Sequence, residues 1–175
     1  MVNFSTMKTE QLTKRCFQIA LAAIMLAGSG TFYATALAQS PPNIGINGSV
    51  SGDNVRRGRS FQAAVVMEIP SGFHVHSNRP LEKFLIATQL QVEAPKGVRV
   101  GPVNYPRPLL RSLKFSKNKL AVFEGRATMR FNVTVPADFG SDSLELKARV
   151  RYQSCNDELC FAPQTREVKI PVRLK

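Results

Sequence analysis

The chain contains no tryptophan, two histidines and three cysteines among its 175 residues. Two histidines exclude sites built from several imidazoles, and three cysteines are too few for a disulfide-rich scaffold or an all-cysteine zinc site. Acidic residues are also scarce, at 12 against 24 lysines and arginines, which gives a formal net charge of +12. Only one stretch is strongly apolar, which excludes several membrane spans, and a hydrophobic content of 43% argues against disorder.

Residues 1–38 have the pattern of a secretory signal peptide. Basic residues precede an apolar stretch at 17–27 that is too short for a comfortable membrane span, and Ala36-Leu37-Ala38 is an A-x-A cleavage site. An uncleaved N-terminal anchor is the alternative. The leader carries three basic residues and one acidic residue, so the mature chain keeps 21 and 11, a net charge of +10 over 137 residues. We therefore expect a periplasmic or otherwise exported protein that is soluble once the leader is removed.

After a short polar lead-in at 39–43, residues 44–175 are predicted to form one all-β domain. No window shows a convincing helical period. Apolar and polar residues instead alternate with the two-residue period of half-buried strands in short runs at 61–68, 87–92, 127–135, 144–152 and 168–174. About eight such strands separated by turn residues predict an antiparallel β-sandwich.

Cys155 and Cys160 are the only cysteines that remain once Cys16 leaves with the leader. They lie between the last two long strands, which we expect to pair as a hairpin with the cysteines at its tip. Cross-strand positions bring Cα atoms to about 4.5 Å, within reach of a disulfide, and an exported protein keeps such a bond. A disulfide that closes so short a loop stabilises the fold by only about 2 kcal/mol. At an exposed tip it is also open to attack by a thiolate. From these residues alone, a structural and a reactive bond both stay open.

The segment YQSCNDELCFAPQT, residues 152–165, resembles the cysteine signature of the N-terminal periplasmic domain of the thiol:disulfide interchange protein DsbD. Residues 71–78 are similar to the family's Gly-aromatic-His strand, and residues 122–125 to its aromatic-x-Gly step. Together these segments extend the resemblance over most of the mature chain. The resemblance implies an immunoglobulin-like fold.

The resemblance also implies roles for single residues. Cys160 would form the mixed disulfide with a partner, and Cys155 would resolve it. The remaining candidates are an aromatic cap and neighbours of the pair, namely Phe123 as the cap and Tyr152, Phe161 and Pro163 beside the sulfurs. The acidic pair expected before the cap is absent, because Ala121 and Val122 stand there.

The implied function is that of a two-electron carrier without a cofactor. It would pass reducing equivalents between a thioredoxin-like or membrane electron donor and oxidised periplasmic proteins, as a protein-disulfide reductase or interchange component of the kind used in cytochrome c biogenesis. The chain has no Cys-x-x-Cys motif and no second hydrophobic region, so we expect a separate reductant. Its basic runs lack interleaved aromatics, which argues against nucleic acid as a partner.

Two further hypotheses remain open. One is a non-catalytic immunoglobulin-like binding module whose disulfide only pins a hairpin. The other is metal handling, because His74 and His76 share one strand face and His-x-His can supply two ligands. For these histidines we expect one packed and one solvent-facing ring, and thiolates locked in a disulfide cannot bind metal. The sequence therefore assigns no metal site.

Overall fold

The computed structural model describes residues 40–52 and 55–175. The predicted signal peptide at 1–38 lies outside the described residues, as does the first residue of the lead-in. Across the described residues no helix has the length and apolar character needed to span a membrane. Every regular element there is a β-strand, so the prediction of an all-β fold is confirmed.

Eleven strands follow one another along the described residues: β1 Gly45–Val50, β2 Ser60–Glu68, β3 His74–His76, β4 Gln89–Glu93, β5 Arg99–Val100, β6 Leu109–Arg111, β7 Leu120–Phe123, β8 Arg126–Thr134, β9 Ser143–Tyr152, β10 Ser154–Cys155 and β11 Gln164–Arg173. They form three sheets, with orders β1-β2-β8-β5, β10-β3-β7-β6 and β11-β9-β4. Every pairing between these named strands is antiparallel. The architecture is an immunoglobulin-like antiparallel β-sandwich.

The long strands form where apolar and polar residues alternate along the sequence. In β9, every second residue from Leu144 to Tyr152 is buried, and the residues between them are exposed. β8 has the same period, since every second residue from Ala127 to Val133 is buried. The unpredicted strands lack this pattern. β7 has the sequence LAVF and is buried on both faces, so a two-residue period cannot appear there.

The main core lies between the sheets and includes Phe131, Leu146 and Ile170. At one point the strands approach so closely that only glycine fits. A Cβ atom on Gly48 of β1 would lie 2.4 Å from Cγ1 of Ile170 on β11. β11 is an edge strand of its sheet, which allows Pro171 to occupy it without losing a ladder hydrogen bond.

The last two long strands pair as predicted, and the structure also shows how the cysteines leave that hairpin. β9 and β11 run antiparallel from Tyr152 opposite Gln164 to Ser143 opposite Arg173. Between them the chain turns away, and β10 pairs with β3 in a different sheet. The cysteine segment is therefore held against the body of the domain instead of projecting as a free hairpin tip.

Candidate redox site

Cys155 and Cys160 form a disulfide across a tight loop, with their Cα atoms 4.0 Å apart. The loop is closed by the backbone N–H of Asn156, which donates to the carbonyl of Leu159 over 2.9 Å. The Asn156 side chain accepts hydrogen bonds from the N–H groups of Glu158 and Leu159, at 2.9 and 2.8 Å. This Asx-type turn holds the loop by contacts that do not need the disulfide.

The two sulfur-bearing residues differ sharply in exposure. Cys155 lies in β10 and is completely buried, whereas Cys160 is only partly buried at the end of the loop. Pairing of β10 with β3 explains the difference, because Cys155 lies directly opposite His74 in that ladder. The expectation that both cysteines are exposed is therefore wrong for Cys155. Cys160 is therefore the more accessible of the two cysteines.

Cys155 shares one face of the β10-β3-β7-β6 sheet with both histidines. Side chains opposite each other in a ladder point to the same side, as do residues two apart on a strand. The register therefore groups Cys155, His74, His76 and Val122, and we call this the sulfur face. Nε2 of His76 lies 3.7 Å from Sγ of Cys155.

Both histidine rings are buried, with His74 at 3% and His76 at 0% exposure. The expectation of one solvent-facing ring is wrong, because other segments cover β3 on both sides. Burial lowers the pKa of His76, and neighbouring His74 lowers it further, against a smaller opposing effect of the Ile86 backbone. Burial also lowers the pKa of His74, opposed by Glu124 and Asp157. At neutral pH both rings are therefore neutral.

The acidic groups near the histidines come from positions that the sequence did not indicate. Asp157 belongs to the cysteine loop itself, and Glu124 follows β7. Arg111 donates to both carboxylate oxygens of Glu124 over 2.7 Å, which lowers the pKa of Glu124. Glu124, Asp157 and His74 line an open cleft of about 290 Å³ beside the loop. The site therefore has acidic neighbours although Ala121 and Val122 replace the expected pair.

The sulfur face is covered by an aromatic ring other than the predicted one. Phe115 stacks on His74 with ring centroids 6.5 Å apart and 15° between the planes, and it remains 40% exposed. Beside it, Val122 packs with the buried side chains of Leu113 and Leu120. No periodicity marks the loop that carries Phe115, so sequence reasoning missed it.

Phe123 lies on the other side of the same sheet. It pairs with Val75, and Val75 pairs with Ser154, the residue before Cys155. Because neighbouring residues of a strand point to opposite faces, this register directs Phe123 away from the sulfur face. Its side chain is buried in the main core. The structure thus places Phe123 behind the disulfide, across the thickness of the sheet.

The remaining predicted neighbours support the loop from its flanks. Tyr152 is fully buried in the main core, where its hydroxyl donates to the Gln164 side chain over 3.0 Å. Phe161 is buried and its ring contacts Phe73 at a centroid distance of 6.1 Å. Pro163 is exposed. Tyr152 and Phe161 therefore fix the two chain ends from which the cysteine loop departs.

The domain is an antiparallel immunoglobulin-like sandwich that carries a disulfide between one buried and one partly buried cysteine. The family model described as "Thiol:disulfide interchange protein DsbD, N-terminal" matches residues 50–171. The chain therefore belongs to this family, which confirms the resemblance seen in the cysteine segment. No curated protein sequence matches the chain.

Solved structures include several that are similar to this chain. The reduced DsbD N-terminal domain of Neisseria meningitidis has 14% identity and a TM-score of 0.46, over 73% of this chain and 85% of that one. The N-terminal periplasmic domain of ScsB from Proteus mirabilis has 8% identity and a TM-score of 0.48, over 77% of this chain and 49% of that one. The GAE domain of GGA2p from Saccharomyces cerevisiae has 13% identity and a TM-score of 0.40, over 74% and 90%.

Proposed function

We propose that this domain is an exported two-electron carrier that shuttles between the Cys155–Cys160 disulfide and the dithiol. It receives electrons from a thioredoxin-like donor and passes them to oxidised periplasmic proteins. The observation that carries this proposal is the asymmetry of the pair, with Cys160 partly accessible and Cys155 buried beside His76. Family membership supports the reaction class, and the direction of electron flow is part of the proposal.

The exchange runs through a mixed disulfide at Cys160. A donor thiolate attacks Sγ of Cys160, the bond to Cys155 breaks, and its electron pair leaves on the Cys155 sulfur. The donor's second thiolate then attacks the donor sulfur of the mixed disulfide, which frees Cys160 and leaves the donor oxidised. The domain has gained two electrons and takes up two protons as the dithiol. In the second half, Cys160 attacks an acceptor disulfide and Cys155 resolves the product.

Surroundings of the loop suit a transient protein partner. Leu159, next to Cys160, is 38% exposed, and Phe115, which stacks on His74 of the sulfur face, is also partly exposed. Exposed apolar side chains beside a reactive sulfur supply contact area for a docking protein. The mature chain's surplus of basic residues would steer acidic partners towards it.

Two single-cysteine variants test the proposal. Cys155→Ala keeps the accessible sulfur. It should accumulate a stable mixed disulfide with a thioredoxin-like protein whose own resolving cysteine is replaced by alanine and whose remaining cysteine is activated as the thionitrobenzoate disulfide. Cys160 then displaces thionitrobenzoate, and neither protein retains a thiol that could resolve the product. Cys160→Ala keeps only the buried sulfur and should form little or none. Non-reducing electrophoresis reports the adduct, and far-UV circular dichroism confirms that both variants fold. Equal trapping by the two variants would refute the assigned roles.

The reduction potential decides between exchange and a purely structural bond. Equilibration with glutathione buffers should give a value between about −120 and −270 mV, the range of exchange proteins. A value below about −300 mV is typical of structural disulfides and would favour the binding module instead.

A further inference from the structure

Three potential metal ligands converge on the sulfur face. A ring nitrogen of His76 and the Sγ atoms of Cys155 and Cys160 all lie within 4.8 Å of one another. His76 and Cys155 are completely buried. Nε2 of His76 is directed at the sulfur of Cys155. A buried imidazole therefore lies beside the disulfide in the oxidised protein.

The spacing already fits one edge of a metal site. With bonds of about 2.3 Å to sulfur and about 2.0 Å to nitrogen, trigonal or tetrahedral coordination separates sulfur from nitrogen by about 3.5–3.8 Å. Nε2 of His76 lies 3.7 Å from Sγ of Cys155. The two sulfurs need a separation of about 3.8–4.0 Å. Reduction supplies it, because it releases Cys160 Sγ from the bond and lets that side chain rotate.

We propose that the reduced domain binds one Cu(I) ion through Cys155, Cys160 and His76. Two thiolates and one imidazole form a soft donor set, and three donors complete a trigonal site for Cu(I), whereas structural Zn(II) sites take four. The ion displaces the two thiol protons, so that no change in oxidation state occurs on binding. His74 lies on the same face but outside this cluster.

The site exists only after reduction, since a disulfide sulfur offers no thiolate. The proposal therefore rests on the proposed function in one respect, namely that the bond can be reduced in the folded domain. A dithiol donor does this in the carrier cycle, and a phosphine does it in the test tube with oxidation to the phosphine oxide. Bound Cu(I) occupies both sulfurs, so metal binding and thiol exchange exclude each other.

Competition with a chromophoric chelator tests the proposal. The mature protein is reduced with tris(2-carboxyethyl)phosphine, desalted without oxygen, and assayed for two free thiols per chain. It is then titrated into Cu(I)-bicinchoninate. We expect the reduced protein to withdraw one Cu(I) per chain and the oxidised protein to withdraw none. Two free thiols without Cu(I) transfer would overturn the site while the carrier function stands. Failure to obtain thiols in the folded protein would overturn both.

Variants identify the ligands. Cys160→Ser should abolish competition, and His76→Gln should weaken Cu(I) binding at least about tenfold, as loss of a ligand does. His74→Gln is the matched control and should bind as the unchanged protein does. An equal loss in both histidine variants, or retention of Zn(II) in preference to Cu(I), would overturn the assignment. X-ray absorption of the copper complex decides independently of variant folding, with two sulfurs and one nitrogen expected and any other ligand set refuting the site.

Discussion

Reduction of the Cys155–Cys160 bond should lower stability only modestly and leave the domain folded. The cysteines are five positions apart, so the bond closes a loop of six residues. In the chain-entropy relation, closing such a loop lowers the entropy of the unfolded chain by about 7 cal/mol/K, which stabilises the folded domain by about 2 kcal/mol at 25 °C. For a domain of this size the unfolding entropy is about 0.28 kcal/mol/K, so the melting temperature should fall by about 7 °C. The β9–β11 pairing and the Asn156 turn do not include the sulfurs, so we expect both to persist without the bond.

The assay is urea unfolding of three samples, namely the oxidised protein, the reduced protein and the double variant Cys155→Ala/Cys160→Ala. Reduced protein and double variant should share a midpoint below that of the oxidised protein, with unchanged slopes, since little extra surface is exposed. Loss of more than about 5 kcal/mol, or an unfolded reduced form, would refute the reasoning. A carrier that unfolds on every cycle could not present Cys160 to an acceptor.

Three further predictions follow from single contacts. Gly48→Ala should destabilise the domain by about 1–3 kcal/mol, because its Cβ would lie 2.4 Å from Ile170, whereas Gly140→Ala, with no atom within 4 Å, should not; urea midpoints decide. In the reduced protein iodoacetamide should modify Cys160 at least about tenfold faster than buried Cys155, as peptide mapping will show, and equal rates would contradict the exposure argument. Burial lowers the pKa of His76, so between that pKa and about 6.5 the unfolded chain binds more protons at this residue than the folded domain does. The contribution of His76 to stability is therefore full above about pH 6.5 and is lost as the pH falls. In unfolding measured at several pH values, His76→Gln should flatten this slope.

The sulfur face results from the pairing of β10 with a sheet other than that of β9 and β11. A chain that stayed in the β9–β11 hairpin would expose both cysteines to solvent. Transfer of β10 to the neighbouring sheet instead buries Cys155 against His76 and leaves Cys160 at the rim. One short crossover thus makes Cys160 the more accessible of the two cysteines.

Local patterning allowed much of the fold to be predicted. β8 and β9 alternate strictly because one face of each meets the core, and this period is visible in a single sequence. β7 escaped detection because it is buried on both faces, and β10 because two residues carry no period. The cysteine segment identified the family, but its sequence does not indicate that β10 pairs with β3.

By itself, the sequence determined the strand-rich class, the β9–β11 hairpin and the cysteine pair, since each depends on residues close together along the chain. Only the tertiary structure decided what surrounds the sulfurs. His76 is 79 positions from Cys155, and Phe115 reaches the same face from a loop without regular pattern. Phe123 shows the converse, because one step of strand register directs a suitably spaced aromatic into the core. Which residues become neighbours depends on how the strands pair and which faces of the sheets are buried, and both depend on contacts between residues far apart in the chain.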